Sequence, residues 1–307
     1  MRIFLTGGRG MVGRNFLEHH KAQKHQIIAP TSSELDLSNM QAVNDFVCDQ
    51  SIDFVVHAAG RVGGIQANIK DPVSFLVDNM DIGRNVILAS RNAGIKHLLN
   101  IGSSCMYPRN APNPLKEESI LSGELEPTNE GYALAKIVAT RLCEYIHKED
   151  SSFLYKTIIP CNIYGRYDKF DPQHSHLIPA IIHKLHDAKI NNKPTVAIWG
   201  TGQVRREFMY AEDLADCIWT TTSNFSDTPA VYNCGLGHDY SVTEYYEAVA
   251  RVVGYTGSFT FDFDKPEGIR QKLVNIDRIQ QMGWASRTTL EEGIAKTYEY
   301  YLDKIVR

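Results

Sequence analysis

The sequence predicts an α/β protein, a doubly wound parallel sheet with a smaller C-terminal α/β unit packed over it. Three observations carry this. Short apolar segments alternate with amphipathic ones through the first half of the chain, a glycine-rich turn joins the first of each kind, and beyond about Tyr164 the rhythm breaks into longer loops, helices and short strands.

The strand candidates, in order, are "RIFLTG" (2–7), "HQIIAP" (25–30), "DFVVHAAG" (53–60), "HLLNIG" (97–102) and "YKTIIP" (155–160). They are rich in Ile, Leu and Val and apolar on both faces, as a sheet covered by helices on both sides requires. Between them, "GRNFLEHHKAQ" (13–23), "MQAVNDFVCDQ" (40–50), "PVSFLVDNMDIGRNVILASRNAG" (72–94) and "GYALAKIVATRLCEYIHKE" (131–149) read as helices. Repeated βα units imply right-handed crossovers. The 307 residues suffice for two domains or one large unit, and no internal repeat or low-complexity linker marks a sharp boundary.

Hydrophobic residues make up 43% and charged residues 22%, with a net charge of −4, so nothing points to nucleic acid or an anionic membrane as partner. No apolar run approaches the ~18 residues that span a bilayer. "MRIFLTGG" runs straight into a strand without the order of a signal peptide, and the six cysteines lie far apart with no CxxC. A cytoplasmic protein with reduced thiols is the expectation.

"TGGRGMVG" (6–13) follows the first strand and opens the first helix. Gly7, Gly10 and Gly13 give G-x-x-G-x-x-G, while Gly8, Gly10 and Gly13 also satisfy G-x-G-x-x-G. Glycines here permit a tight turn, close approach of backbone to a pyrophosphate, and close packing of helix on strand. The helix N-terminus offers free amides to the anion. This is a Rossmann dinucleotide signature, with Gly7, Arg9, Gly10, Met11, Val12 and Gly13 expected against the cofactor. An NAD site would end the second strand in Asp or Glu, but Pro30-Thr31-Ser32 stands there. The missing acid and the nearby Arg9 favour NADP(H), with Asp36-Leu37 suited to the adenine.

"EGYALAKIVA" (130–139) sets Tyr132 and Lys136 four residues apart, on one helix face. A lysine beside a phenol stabilises the phenolate, which makes the tyrosine a proton donor and acceptor near neutral pH. Ser103, at the end of the fourth strand, can hydrogen-bond the same substrate oxygen.

With "GGRGMVG", "HAAG" (57–60), "GSS" before Tyr107 and "YALAK", the first half resembles the extended short-chain dehydrogenase/reductases. "IYGRYD" (163–168), "REFMYAEDLA" (206–215) and "YNCG" (232–235) carry the resemblance through most of the rest. Within that family, "VGGIQAN" (62–68), "GSSCMYP" (102–108), "EPTNEGYALAK" (126–136), "SHLIPA" (175–180) and "WGTGQVRREF" (199–208) are similar to the GDP-L-fucose synthase group. The resemblance implies a GDP-4-keto-deoxy sugar reduced at carbon 4 by NADPH, coupled to epimerisation at carbons 3 and 5. Tyr132 would protonate the alkoxide, Ser103 would orient it, and Lys136 would hold the tyrosine and the nicotinamide ribose. Ala58 and Ala59 of "HAAG" would line the cofactor, and Asn79 falls at a structural or cofactor-side asparagine. The resemblance also assigns 1–164 with parts of 203–236 to cofactor binding, and 165–202 with 237–307 to the nucleotide sugar.

Epimerising a carbon beside a ketone needs a base and an acid. A thiol is a competent base where a cation or oriented amides favour its thiolate, and histidine can serve as acid. In fucose synthases these roles fall to positions matching Cys105 and His176, the latter also near the cofactor. Sugar-nucleotide 4,6-dehydratases carry an Asp-Glu pair after the catalytic Ser/Thr, and Ser104-Cys105 stands there instead. His174, His183 and His186 near His176 lack the converging ligands of a zinc site, so no metal is expected.

For the substrate's guanosine diphosphate and sugar, the resemblance points to Asn162, Lys184, Trp199, Arg206 and Lys272. Gly131 stands before Tyr132 where the family often has proline. "YGRYDKF" (164–170) departs from the usual segment and is expected to put Arg166 and Lys169 beside the substrate. A dedicated 4-reductase on a related GDP-4-keto sugar, such as a heptose, is the alternative. The family also implies a homodimer through the helices around 74–92 and 132–147.

Overall fold

The computed structural model describes residues 1–171, 175–265 and 268–306. The first half runs β1 (Arg2–Thr6), α1 (Met11–Glu18), β2 (Gln26–Ile28), α2 (Met40–Cys48), β3 (Phe54–His57), α3 (Ile65–Lys70), α4 (Pro72–Asn92), β4 (His97–Ile101), α5 (Glu130–Glu149) and β5 (Leu154–Pro160). The remainder runs β6 (Asn162–Tyr164), α6 (Leu177–Ile190), β7 (Thr195–Trp199), β8 (Arg205–Arg206), β9 (Phe208–Tyr210), α7 (Ala211–Ser223) and β10 (Val231–Cys234). It ends with β11 (Tyr240–Ser241), α8 (Val242–Val253), β12 (Ser258–Asp262), β13 (Gln271–Lys272), α9 (Asp277–Gln281) and α10 (Leu290–Tyr301).

The main sheet has the order β10-β5-β4-β3-β1-β2, with every neighbouring pair parallel. The predicted doubly wound Rossmann-like sheet is therefore present. Strand order reverses between β1 and β3, and ligands of such sheets bind at that crevice, beyond the carboxyl ends of the strands. Successive strand residues point to opposite faces. Ile3, Leu5, Val56 and Leu99 enter one core while Phe4, Val55 and Leu98 enter the other. Each such side chain contributes about 1.5–3 kcal/mol by leaving water, which is why these strands read as unbroken apolar runs.

Two details differ from expectation. The first helix stops at Glu18, and His20–Lys24 forms a separate 3₁₀ turn. The second strand shortens to Gln26–Ile28 at the sheet edge. After Tyr164 the chain returns to the first layer. β10 extends the sheet beyond β5, and α7 packs beside α1 with Trp219 stacked on Phe16 at 4.2 Å. A third core, including Ile178, Ile182, Tyr245 and Val249, holds the remaining C-terminal elements together.

Helices α4 and α5 cross closely because small residues sit at their contacts. A Cβ on Gly131 would lie 3.2 Å from both the Leu76 Cβ and the Pro72 carbonyl oxygen. This tight contact accounts for the glycine that precedes Tyr132.

Candidate active site

The glycine turn forms a close cradle at the end of β1. Gly7 has φ +74°, and a Cβ there would lie 2.8 Å from the Ala59 nitrogen. A Cβ on Gly13 would lie 2.3 Å from the Gly7 carbonyl oxygen, which also accepts a 2.9 Å hydrogen bond from the Gly10 amide. Helix α1 begins after Gly10 with no side-chain cap, so its first amides stay available to an anion. These features fit the pyrophosphate of a dinucleotide.

Neighbouring contacts brace the cradle. Thr6 Oγ1 accepts from the Ala59 amide at 3.1 Å and lies 2.8 Å from His57 Nδ1. Burial first, then the charge of Lys136, lowers the His57 pKa to about 3, so that ring is neutral. Asn79 proves structural: it accepts from the Arg61 amide at 2.8 Å and donates to the Arg61 and Phe75 carbonyls. Arg9 is exposed on the turn, Met11 and Val12 are half-buried, and Leu37 packs against the α2–α4 side of the sheet. Sequence reasoning found no acid at the end of the second strand; Glu34, in the turn that follows, accepts from the Thr31 amide at 2.8 Å and feels the charge of Arg9.

Beyond β4, Ser103 caps a short 3₁₀ turn, Ser104–Met106, its Oγ accepting from the Cys105 amide at 3.2 Å. Facing it from α5 are Tyr132 and Lys136. The Lys136 ammonium donates to the Ile101 carbonyl at 2.8 Å and lies 5.9 Å from the centre of the Tyr132 ring. Burial lowers the Lys136 pKa to about 8. The lysine was expected to depress the pKa of the phenol. Instead, burial foremost and Cys105 next raise it, and the hydrogen bond with Ser103 only partly opposes them. Tyr132 is thereby held as a neutral proton donor.

A cavity of about 170 Å³ gathers nine of the expected residues: Val12, Ala58, Ala59, Ser103, Cys105, Tyr132, Lys136, Asn162 and His176 all line it. His176 immediately precedes α6, and burial, helped by Lys169, lowers its pKa below the usual imidazole value. Asn162 Nδ2 donates to the Glu207 carbonyl at 3.0 Å, which fixes the side chain between β6 and β9. Arg166 is not turned to this cavity. It pairs with Glu18 at 3.0 Å and Glu212 at 2.7 Å, tying its loop to α1 and α7. Lys169 reaches the Val62 carbonyl at the cavity edge, 3.4 Å away.

A smaller adjoining cavity shares Ser104, Cys105 and Asn129 with the first and includes Lys272. The other expected substrate contacts lie outside both. Lys184 is half-buried, its ammonium bonded to the Ala197 carbonyl and set over the Tyr246 ring. Trp199 is 57% exposed beneath Lys265, and Arg206 donates to the Arg205 carbonyl at 2.8 Å. His183 and His186 hydrogen-bond Tyr301 and Tyr298, and His174 lies outside the described residues. Among the described residues no three metal-ligating side chains converge.

Sequence reasoning missed Asn129, whose amide donates to Cys105 Sγ at 3.2 Å. The sequence carried no signal for this, since the residue reads as an ordinary helix cap. An asparagine at a helix start normally caps the helix, and this one makes no cap hydrogen bond.

Residues 3–235 match the model of the NAD dependent epimerase/dehydratase family. The chain belongs to that family. Among curated members of this family, it is 52% identical to a GDP-L-colitose synthase of Yersinia pseudotuberculosis, covering 99% of both chains. It is 49% identical to a GDP-L-fucose synthase of Azorhizobium caulinodans, over 98% of this chain and 96% of that one. Among solved structures, a GDP-mannoheptose C4 reductase from Campylobacter jejuni with NADP bound superposes with a TM-score of 0.90 at 32% identity, covering 98% of each chain.

Proposed function

We propose that this chain reduces carbon 4 of a GDP-4-keto-deoxy sugar with NADPH and epimerises carbons 3 and 5, the chemistry that makes a GDP-L-fucose-type product. The observation that carries the reading is one cavity lined by Ser103, Tyr132 and Lys136 together with Cys105 and His176. The first three suffice for reduction, and the last two are superfluous unless protons are also moved at carbon. Relatives named for GDP-L-colitose and GDP-L-fucose synthesis at 52% and 49% identity support the substrate class.

The Gly7–Gly13 cradle with Ala58 and Ala59 would hold NADPH, which when bound would supply the hydride for carbon 4. Tyr132 donates its phenolic proton to the oxygen that becomes alkoxide, and Ser103 holds that oxygen in place. Lys136, a buried cation, offsets the phenolate left behind. Before reduction, Cys105 removes a proton from the carbon next to the ketone and His176 returns one. The ketone makes this feasible because it spreads the negative charge as an enolate. We place the sugar nucleotide over 165–202 and 237–307.

The reading extends to a cytoplasmic homodimer. No helix among the described residues is long and apolar enough to cross a membrane, and all six cysteines are free. Helices α4 and α5 expose Val73, Val77, Val138 and Tyr145, an apolar face suited to a second copy.

The decisive experiment incubates the protein with GDP-4-keto-6-deoxymannose in deuterated water and follows it by NMR. Deuterium should enter carbons 3 and 5 without cofactor, and NADPH should then be consumed. NADPH consumption with no exchange would establish a reductase without epimerase activity, as in the heptose alternative.

The Lys136 pKa near 8 sets an alkaline limb. Because kcat/KM reports the free enzyme, kcat/KM for NADPH should fall about tenfold per pH unit above pH 8 as the ammonium is lost. Lys136→Arg, which stays charged, should flatten that limb at a lower overall rate.

A further inference from the structure

We propose that Lys272 and Asn129 form a built receptor for the negative sulfur of Cys105, making Lys272 a positioning and activating residue for proton abstraction rather than solely a grip on the substrate's diphosphate. This rests on the epimerase reading above and names the residues that make it work.

The sulfur receives donors from two separate parts of the chain. Asn129 Nδ2 lies 3.2 Å from Sγ and the Lys272 ammonium 3.6 Å. A neutral thiol needs no such pair, since a weak sulfur acceptor gains little from a neighbouring ammonium, whereas a thiolate gains charge-assisted hydrogen bonds from both. Asn129 gives up local stability to take this position. It occupies the N-cap of α5 without capping it, and its Oδ1 is buried with no hydrogen-bond partner. An unused cap forgoes helix stability, and an orphaned carbonyl costs more than a satisfied one. Local losses of this kind, taken together, mark a functional contact.

Lys272 is fixed by its backbone. It lies on β13, paired with β8, and the segment after it is laced to the loop beyond Cys105. Leu115 donates to the Leu273 carbonyl at 2.7 Å, the Leu273 amide donates to Asn113 Oδ1 at 2.7 Å, and the Val274 amide donates to the buried Glu207 carboxylate at 2.9 Å. The first two bonds tie the segment carrying Lys272 to the loop beyond Cys105, and the third anchors it to the residue before β9.

The step balances without another reactant. The C–H electron pair passes into the enolate, the proton passes to sulfur, and the S–H proton later exchanges with water. The negative charge therefore leaves the Lys272–Asn129 pair for the enolate oxygen beside Ser103 and Tyr132.

The test needs no sugar. In a Cys48→Ser background, which removes the exposed thiol, iodoacetamide labelling of Cys105 at pH 7 is followed by peptide mass spectrometry. Lys272→Met should slow labelling about tenfold or more, and Lys272→Arg should restore most of the rate. Asn129→Asp, equal in size but negative, should slow labelling as well, and circular dichroism checks that each variant is folded. Folded Lys272→Met and Asn129→Asp proteins that label at the parent rate would overturn the proposal. Because labelling is read without substrate, a failed sugar-exchange experiment and a failed labelling experiment are separate results.

Discussion

Tyr132→Phe should lower kcat for reduction of the 4-keto sugar by about 10³-fold, within the range expected for loss of a positioned proton donor. NADPH affinity should change little. The variant removes one oxygen from a buried ring and leaves the cradle, Lys136 and the Ile101 carbonyl in place. The size of the loss follows from the environment. Burial and Cys105 hold the phenol protonated, so Tyr132 starts each turnover with the proton the alkoxide needs. Nothing else in the cavity is poised equally well to replace it. Ser103 Oγ is engaged by the Cys105 amide, and His176 is assigned to proton return at carbon. Stopped-flow NADPH oxidation, with cofactor binding measured separately by fluorescence, checks both halves of the expectation. Equal loss of binding and turnover would instead give Tyr132 a structural role.

The parts of this site legible in the sequence are those set by local geometry. The glycine turn announced itself because a tight turn between strand and helix admits few residues, and a Cβ at Gly7 or Gly13 would strike backbone atoms. Tyr132 and Lys136 were legible because helical spacing of four puts them on one face. The strands were legible because a sheet buried on both sides leaves runs of Ile, Leu and Val. What escaped depends on contacts between distant segments. Lys272 is 167 residues from Cys105, and only the pairing of β13 with β8 and of Leu115 with Val274 brings them together. Arg166 looked like a substrate contact from its place in the motif. Two carboxylates, Glu18 and Glu212, claimed it, and neither lies near it in sequence. The strand-end pattern also gave no hint of the turn after β2, where Glu34 bonds the Thr31 amide close enough to feel the charge of Arg9.

Cys105→Ser should separate the two halves of the reaction. Deuterium exchange at the carbons beside the ketone should fall by about 10³-fold, since a thiol can supply its anion as base at neutral pH and an alcohol cannot. Reduction of a ketone supplied in the already epimerised form should keep kcat within about threefold. Serine is small enough to keep the 3₁₀ turn, and its oxygen can still accept from Asn129 and Lys272, so the local structure should persist. The reductive half should survive for an electrostatic reason as well. Cys105 is the second influence raising the Tyr132 pKa, after burial, and removing it eases that pressure without removing the burial that dominates. The phenol therefore stays protonated and reduction continues. A Cys105→Ser protein that lost exchange and reduction together would break this separation and assign the thiol to packing.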